Sequence, residues 1–518
     1  MELCRQQLAD VDQAIRRSPV LGRNSRPWIA ALTATFVLIL LVNPVGFVGG
    51  GWDDWQYLHA ARCWAEHGPC LPQDHWQGRW PVIAPIAAMI TLFGESRLAI
   101  GLPGLAYALG CIFMLARLGN RLAGQPAGYA AALILLVMPI FGVELLGPNA
   151  ESAELFFLLG AANFILAYAE RSKTWLAFAA GLSWSLAFQV RETAITALPL
   201  LAIAAWMFAR RDLRALVAAA AGAAIPLLAE LLVYFAATGD PLWRRHLSVA
   251  HTEVPSTELV GPVDHRRLPF LNPDYIAGWK HQPGIHLHWA VDGLINLPAN
   301  VMAGFGIPFA LVLAAVFWRR LETADRRVAG WCIGAAVYWA CFLIYVLAID
   351  PKPRMMFVPV ALTALALAVL LLRLERTGSA PLAFAAFGIC WLAGMVNITL
   401  HPQVRTSEEF AARWASQYPG AIETDETTRR HLALVPGSAG YAGLTSGRPM
   451  LAIKLDLDCR EWADDNLPGK LQLVDRSPFS LMDRFTPGKG GNLCLFRYAA
   501  PVTPDQIGEA QSAPAKAR

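Results

Sequence analysis

Charge is what this sequence has least of. Asp, Glu, Lys and Arg make up 16% of its 518 residues, against 55% apolar residues and a mean hydropathy of +0.40. A soluble domain of this length needs a more polar surface, so the composition excludes one. No Walker-type glycine loop and no dinucleotide fingerprint occurs, which leaves nucleotide-driven chemistry without its usual cradle. No internal repeat is visible of the kind that builds the paired halves of many transporters. A net charge of +4 is too small to imply a nucleic-acid partner. The first apolar run follows a polar stretch and ends in "NPVGFVGGG" with no small-x-small cleavage site, so it is expected to stay as an uncleaved first helix.

What the sequence has is a series of apolar runs near the ~20 residues that span a bilayer. Spanning helices are expected at about 28–48, 97–116, 127–146, 152–169, 174–190, 193–209, 213–236, 298–318, 328–349, 354–374 and 380–399. The run 81–93, "PVIAPIAAMITLF", is too short and too proline-interrupted to cross, and reads as re-entrant or interfacial. The arginines set the orientation. With the N-terminus in the cytoplasm, Arg16, Arg17, Arg117, Arg121, Arg171, Arg210, Arg211, Arg319, Arg320 and Arg373 all fall in inner segments, as the positive-inside rule requires. The expected organisation is a cytoplasmic tail (1–27), a membrane domain (28–399) with outer loops 49–96 and 237–297, and an outer region (400–518). That last region holds short β-type runs between Gly and Pro, which suggests a small α/β domain with a disordered end. Cys63 and Cys70 in the first loop, and Cys459 and Cys494 in the tail, are candidate disulfides if those regions lie in an oxidising compartment; free thiols are the alternative.

The outer segments collect polar groups at helix ends. Asp53, Asp54, Tyr57, His59, His75, Trp76 and Arg79 lie in the first loop, followed by Asn149, Glu151 and Glu154, by Arg191 and Glu192, and by Asp350, Lys352 and Arg354. Each alone reads as an interfacial anchor, and Asp53 and Asp54 also suit a helix N-terminus. Carboxylates and cations converging from four places on one side suggest a site. Such a set suits glycosyl transfer from a lipid-phosphate sugar. Cations stabilise the charge collecting on the phosphate leaving group, and a carboxylate takes the proton of the attacking hydroxyl.

Five stretches carry a resemblance. "DDWQY" in the first loop resembles the Asp-Glu-x-x-Tyr of the polytopic GT-C glycosyltransferases, in particular the bacterial branch similar to protein O-mannosyltransferases and the lipid A aminoarabinose transferase. "RWPV" is similar to that group's Lys-Pro-Pro-Leu, and "LFGESRLAIGLPG" to the segment after it; "NAESAELFF" stands at its second acidic position and "PKPRMMFVPV" at its late basic one. The resemblance implies a GT-C fold of about 11 spanning helices with interfacial helices in the first outer loop, followed by the small α/β domain. It makes Asp53, with Asp54 beside it, the catalytic carboxylate. It gives Arg79, Lys352 and Arg354 to the donor phosphate, and adds Tyr57 and Glu151 to the substrate site. Expected partners are a polyprenyl-phosphate sugar, a lipid, glycan or protein acceptor, and membrane lipids. The expected place is the bacterial inner membrane, with the C-terminal region in the periplasm. No cofactor is implied with certainty, and a divalent metal stays open without being predicted.

Other readings compete. A flippase of lipid-linked sugars would place its polar groups near the bilayer midplane. A surface-polysaccharide polymerase or ligase would use outer-loop arginines without needing the acidic pair. His281, His286 and His288 read as solvated loop residues rather than metal ligands. Arg244, Arg245, Arg266 and Arg267 read as contacts to lipid headgroups, with an anionic acceptor as the alternative, and Arg191 with Glu192 as an ion pair or as part of a cavity.

Overall fold

In lipid every backbone N–H and C=O must be satisfied within its own segment, so apolar runs become helices. The computed structural model describes residues 26–42, 52–144, 147–209, 212–253, 306–347, 353–374 and 380–400, and in the C-terminal region 413–414, 416–418, 422–424, 442–443, 450–455, 469–476 and 492–499. The protein is an α-helical polytopic membrane protein with a small C-terminal sheet. Among the described residues the helices are α1 (Arg26–Val42), α2 (Trp52–His67), α3 (Trp80–Phe93), α4 (Arg97–Ala123), α5 (Gln125–Val137), α6 (Pro139–Glu144), α7 (Ala150–Arg171), α8 (Thr174–Val190), α9 (Ala197–Ala209), α10 (Leu213–Thr238), α11 (Trp243–Glu253), α12 (Gly306–Phe317), α13 (Thr323–Cys341), α14 (Phe357–Leu374) and α15 (Ala380–Leu400). Five described stretches are long and apolar enough to cross a membrane: Arg97–Ala123, Ala150–Arg171, Leu213–Thr238, Thr323–Val346 and Arg354–Arg373.

Several expected spans are more broken than a hydropathy pattern shows. The run expected at 127–146 stops at Val137 and restarts at Pro139, because proline lacks the N–H that would continue the helix and suits a helix start instead. The run at 193–209 opens with a 3₁₀ turn, Glu192–Thr196, before α9 begins. The run at 328–349 passes from α13 into a π-turn, Phe342–Val346. A 3₁₀ turn, Pro353–Met356, leads into α14.

α14 is apolar on all sides and lies inside the bundle. Ala361, Ala364, Leu365, Ala366, Leu367 and Ala368 are each fully buried, as expected of a helix without a polar face. It packs against α5, α12 and α13. A second group joins α8 to α7 and α10. The α8–α10 crossing depends on two glycines. A Cβ on Gly181 would sit 1.8 Å from the Ala219 carbonyl oxygen, and one on Gly222 would sit 2.1 Å from that of Phe178. Small residues here let two backbones touch, which is how helices associate without a hydrophobic drive in lipid.

The first loop is helical and packed. α2 buries Tyr57, Ala60 and Ala61, spaced by three and four residues on one face. They meet Val82, Ile83, Ile86 and Ala87 of α3 and Ala150 and Ala153 of α7. α3 has 14 residues, about 21 Å at ~1.5 Å per residue, short of a ~30 Å hydrocarbon core. Pro85 sits inside it without ending it. Cys63 and Cys70 are joined by a disulfide at the end of α2, and Arg62 pairs with Glu95 at 2.6 Å. In the C-terminal region Cys494 is disulfide-bonded, while Cys459 lies outside the described residues.

The C-terminal sheet has five strands: β1 (Ile422–Thr424), β2 (Ala442–Gly443), β3 (Met450–Leu455), β4 (Leu471–Arg476) and β5 (Asn492–Tyr498), in the order β2-β1-β3-β5-β4. β1 runs parallel to β2 and β3, and β5 runs antiparallel to β3 and β4. Leu493, Cys494, Leu495 and Phe496 are all fully buried, so both faces of β5 are covered.

Candidate active site

The site forms where the first loop meets the starts of α7 and α14 and the turn between α8 and α9. α2 starts at Trp52, so Asp53 and Asp54 lie in its first turn, where carboxylates meet the positive end of the helix dipole. Adjacent helical residues point about 100° apart. Asp53 is buried and Asp54 is only half-buried, so the two face different surroundings. Asp53 Oδ2 lies 3.0 Å from Arg354 Nη1. Arg354 comes from the 3₁₀ turn before α14, about 300 residues along the chain.

One turn beyond Asp53 and on the same face, Tyr57 is 1% exposed. Its hydroxyl accepts a hydrogen bond from Arg79 Nη1, and the Arg79 guanidinium carbon lies 5.7 Å from the Tyr57 ring centroid. Arg79 precedes α3 and is buried. Burial pushes the Tyr57 phenol well above its ordinary range; Arg79 opposes that rise, while Asp53 and Glu151 add to it. Tyr57 is therefore a neutral hydroxyl at physiological pH. For Arg79 burial works against the charge, but the carboxylates of Glu192, Asp53 and Glu151 favour the protonated guanidinium. Among the described residues the buried Nε atoms of both Arg79 and Arg354 have no hydrogen-bond partner. A buried Arg79 and a half-buried Arg354, each with a buried unused Nε donor at one site, are suited to an anionic ligand, since a buried donor left unmatched is costly.

Glu151 and Glu154 lie on the first turns of α7, which Asn149 caps by accepting from the Ser152 N–H at 2.7 Å. Both carboxylates are buried. Arg191 Nη1 stands 3.4 Å from Glu151 Oε1 and 3.4 Å from Glu154 Oε2. The Thr193 hydroxyl donates to Glu154 Oε1 at 2.6 Å, and Arg191 Nη2 touches the sulfur of Met355.

Beside this cluster Arg244 of α11 is buried, with Glu192 at 2.9 Å and Glu230 at 3.2 Å. Gln189 donates to the Pro226 carbonyl at 2.7 Å and to Glu230 at 3.3 Å. Glu192 is held at about 2: burial opposes ionisation, and Arg244 and Arg79 outweigh it. Trp243 donates to the Pro72 carbonyl at 3.1 Å, tying α11 to the first loop.

Asp53, Tyr57, Arg79, Glu151 and Arg354 are thus brought to one place by contacts and by shared electrostatics. Lys352, and the histidines 281, 286 and 288, lie outside the described residues. Two expectations are corrected. Arg191 and Glu192 do not pair with each other; each turns to a different partner, because neighbours in an extended-to-3₁₀ turn point apart. Arg244 faces two carboxylates and not lipid headgroups, because α11 folds back on α10. Arg191's double engagement was missed, although a signal existed: Glu151 and Glu154 at i and i+3 are like charges on one face, which a nearby cation relieves.

Residues 81–235 match the family model described as dolichyl-phosphate-mannose-protein mannosyltransferase. Among solved structures the chain is similar to ArnT from Cupriavidus metallidurans in the apo state, with 14% identity over 91% of this chain and 98% of that one and a TM-score of 0.53. It is also similar to ArnT from Cupriavidus metallidurans bound to undecaprenyl phosphate, at 15% identity over 90% and 97%, with a TM-score of 0.44. The Archaeoglobus fulgidus oligosaccharyltransferase in complex with Zn and sulfate matches at 13% identity over 80% and 58%, with a TM-score of 0.41. No curated protein matches the chain.

Proposed function

We propose that this chain, a membrane protein of the GT-C type similar to the protein O-mannosyltransferases and the aminoarabinose transferase, moves a sugar from a polyprenyl-phosphate donor to a lipid A, glycan or protein acceptor. The observation that carries this reading is the Asp53–Arg354 pair beside the Tyr57–Arg79 pair. It sets one carboxylate and two guanidiniums against each other where the loop after α1 meets the bundle. The matched family is named for a lipid-phosphate sugar donor, which suits the unused donors of Arg79 and Arg354.

The acceptor oxygen forms a bond to sugar C1 while the C1–O bond to phosphate breaks, its electron pair leaving with the phosphate oxygen. Asp53 takes the acceptor proton. Arg79 and Arg354, with Lys352 by resemblance, neutralise the departing phosphate. Tyr57 steadies Arg79, and Glu151 orients the substrate. Asp54 completes the acidic first turn of α2. A single displacement of this kind inverts the anomeric centre. The expected place is the periplasmic face of a bacterial inner membrane. The arginine distribution supports that face, as does a disulfide in the first loop.

The test is reconstitution in liposomes with a labelled polyprenyl-phosphate sugar, alongside mass spectrometry of lipid A, glycolipids and envelope proteins with and without the protein. Transfer of label to an acceptor is expected. Movement of the lipid-linked sugar between leaflets with no transfer would replace this reading by a flippase.

A further inference from the structure

A donor phosphate and an acceptor must be held by groups on separate elements, so something has to fix those elements to each other. Arg191 occupies that position. Its backbone caps α8, donating to the Ala187 carbonyl at 2.9 Å, and its own carbonyl accepts from the Ala194 N–H at 3.1 Å. The side chain is 6% exposed. Nη1 lies between Glu151 and Glu154 at 3.4 Å from each, and Nη2 meets Met355. Met355 is the immediate neighbour of Arg354, whose other end reaches Asp53 at 3.0 Å. Thr193 fixes the far oxygen of Glu154 at 2.6 Å, so Glu154 is committed to holding Arg191. Among the described residues Glu151 makes one ion pair, to the same nitrogen.

We propose that Arg191 is a positioning residue: it aligns Glu151 on one side and the Arg354-bearing turn on the other, so that the substrate-orienting carboxylate and the donor-phosphate cation keep their spacing. This rests on the reading that the site takes a lipid-phosphate sugar. Arg191 touches neither substrate. The planar fork matters more than the charge, because one guanidinium meets two carboxylates and a thioether in fixed directions, which an ammonium cannot do.

The test separates alignment from charge balance. Arg191→Ala leaves two buried carboxylates without their cation and risks failing to fold. The informative variant is Arg191→Met with Glu154→Gln, which removes one positive and one negative charge and leaves the net charge of the cluster as it was. Arg191→Lys is its companion. Three readouts are compared with wild type in nanodiscs: thermal unfolding, binding of undecaprenyl phosphate, and kcat and KM for a polyprenyl-phosphate sugar. The double variant still leaves Glu151 without its cation, so it is expected to fold but to unfold below the wild-type temperature. It is expected to bind undecaprenyl phosphate at least tenfold more weakly and to turn over at least tenfold more slowly. Arg191→Lys, which keeps a cation at Glu151, is expected to recover stability more fully than donor binding. Arg191→Lys is expected to show an intermediate rise in donor KM. Binding and turnover within threefold of wild type in the double variant would reduce Arg191 to charge neutralisation and overturn the proposal. If the wild-type protein itself bound no undecaprenyl phosphate, the lipid-phosphate reading would fall first and this inference with it.

Discussion

Asp53 and Arg354 form an ion pair of 3.0 Å across some 300 residues of chain, between the first turn of α2 and the turn that opens α14. The Arg354 guanidinium in this pair can be drawn away from the carboxylate by a stronger anion. A lipid phosphate arriving at Arg79 and Arg354 would do that, and would leave Asp53 free to accept a proton. Asp53→Asn keeps the shape and removes the base. It is expected to fold normally and to lose about 10²–10⁴-fold in turnover, the usual worth of a positioned general base. Asp54→Asn, at the half-buried neighbour, is expected to lose less. The check is a reconstituted transfer assay on both variants. Full turnover in Asp53→Asn would leave the pair a structural contact.

Arg79 donates from Nη1 to the Tyr57 hydroxyl and keeps a buried Nε unused among the described residues. Arg79→Lys retains the charge and loses the fork, so it should weaken donor binding less than Arg79→Ala does. Titrating a polyprenyl-phosphate sugar onto each purified variant measures this. Equal binding by wild type and Arg79→Ala would remove Arg79 from the donor site.

The α8–α10 crossing is a test of packing alone. Gly222→Ala places a Cβ 2.1 Å from the Phe178 carbonyl oxygen, and overpacking of this kind costs about 1–3 kcal/mol. Gly334→Ala meets nothing within 4 Å, and a helical glycine changed to alanine where space allows gains about 0.5–1 kcal/mol. The two variants should therefore move thermal unfolding in opposite directions. A Gly222→Ala protein as stable as wild type would contradict the close approach of the two backbones.

Glu192 is held at about 2, below its ordinary 4.5, mainly by Arg244 and Arg79 acting against burial. A carboxylate depressed in the folded state adds stability that is fully present above its unfolded pKa and is lost as pH falls through the folded one. Wild type should therefore exceed Glu192→Gln in thermal stability at pH 6, with the gap closing between about pH 4.5 and pH 2. A gap that stayed constant across that range would show that the ion pair with Arg244 contributes little.

The arginine pattern predicts an N-terminus in the cytoplasm and a C-terminus in the periplasm. A reporter active only in the periplasm, fused after Arg518, is expected to be active. Activity of a cytoplasm-only reporter at that position would move Asp53 to the wrong side for a periplasmic transferase.

Local pattern was enough to read the membrane character of this chain, the helical first loop and the acidic start of α2. Apolar runs of bilayer length report their environment directly, because lipid offers the backbone no other partner. "DDWQY" places Asp53 and Tyr57 one helical turn apart, so their shared face follows from the helix period alone. Tertiary structure decided which charge meets which. Asp53 finds Arg354, Arg191 finds Glu151 and Glu154, and Arg244 finds Glu192 and Glu230. Arg191 and Glu192 are neighbours in sequence and so were natural partners on paper, yet the turn after α8 sends them to opposite sides. A long side chain at a helix end can reach several neighbours of opposite charge. Which one it meets depends on how the helices cross, and crossings such as Gly181 against Gly222 are set by backbone contacts between segments about 40 residues apart.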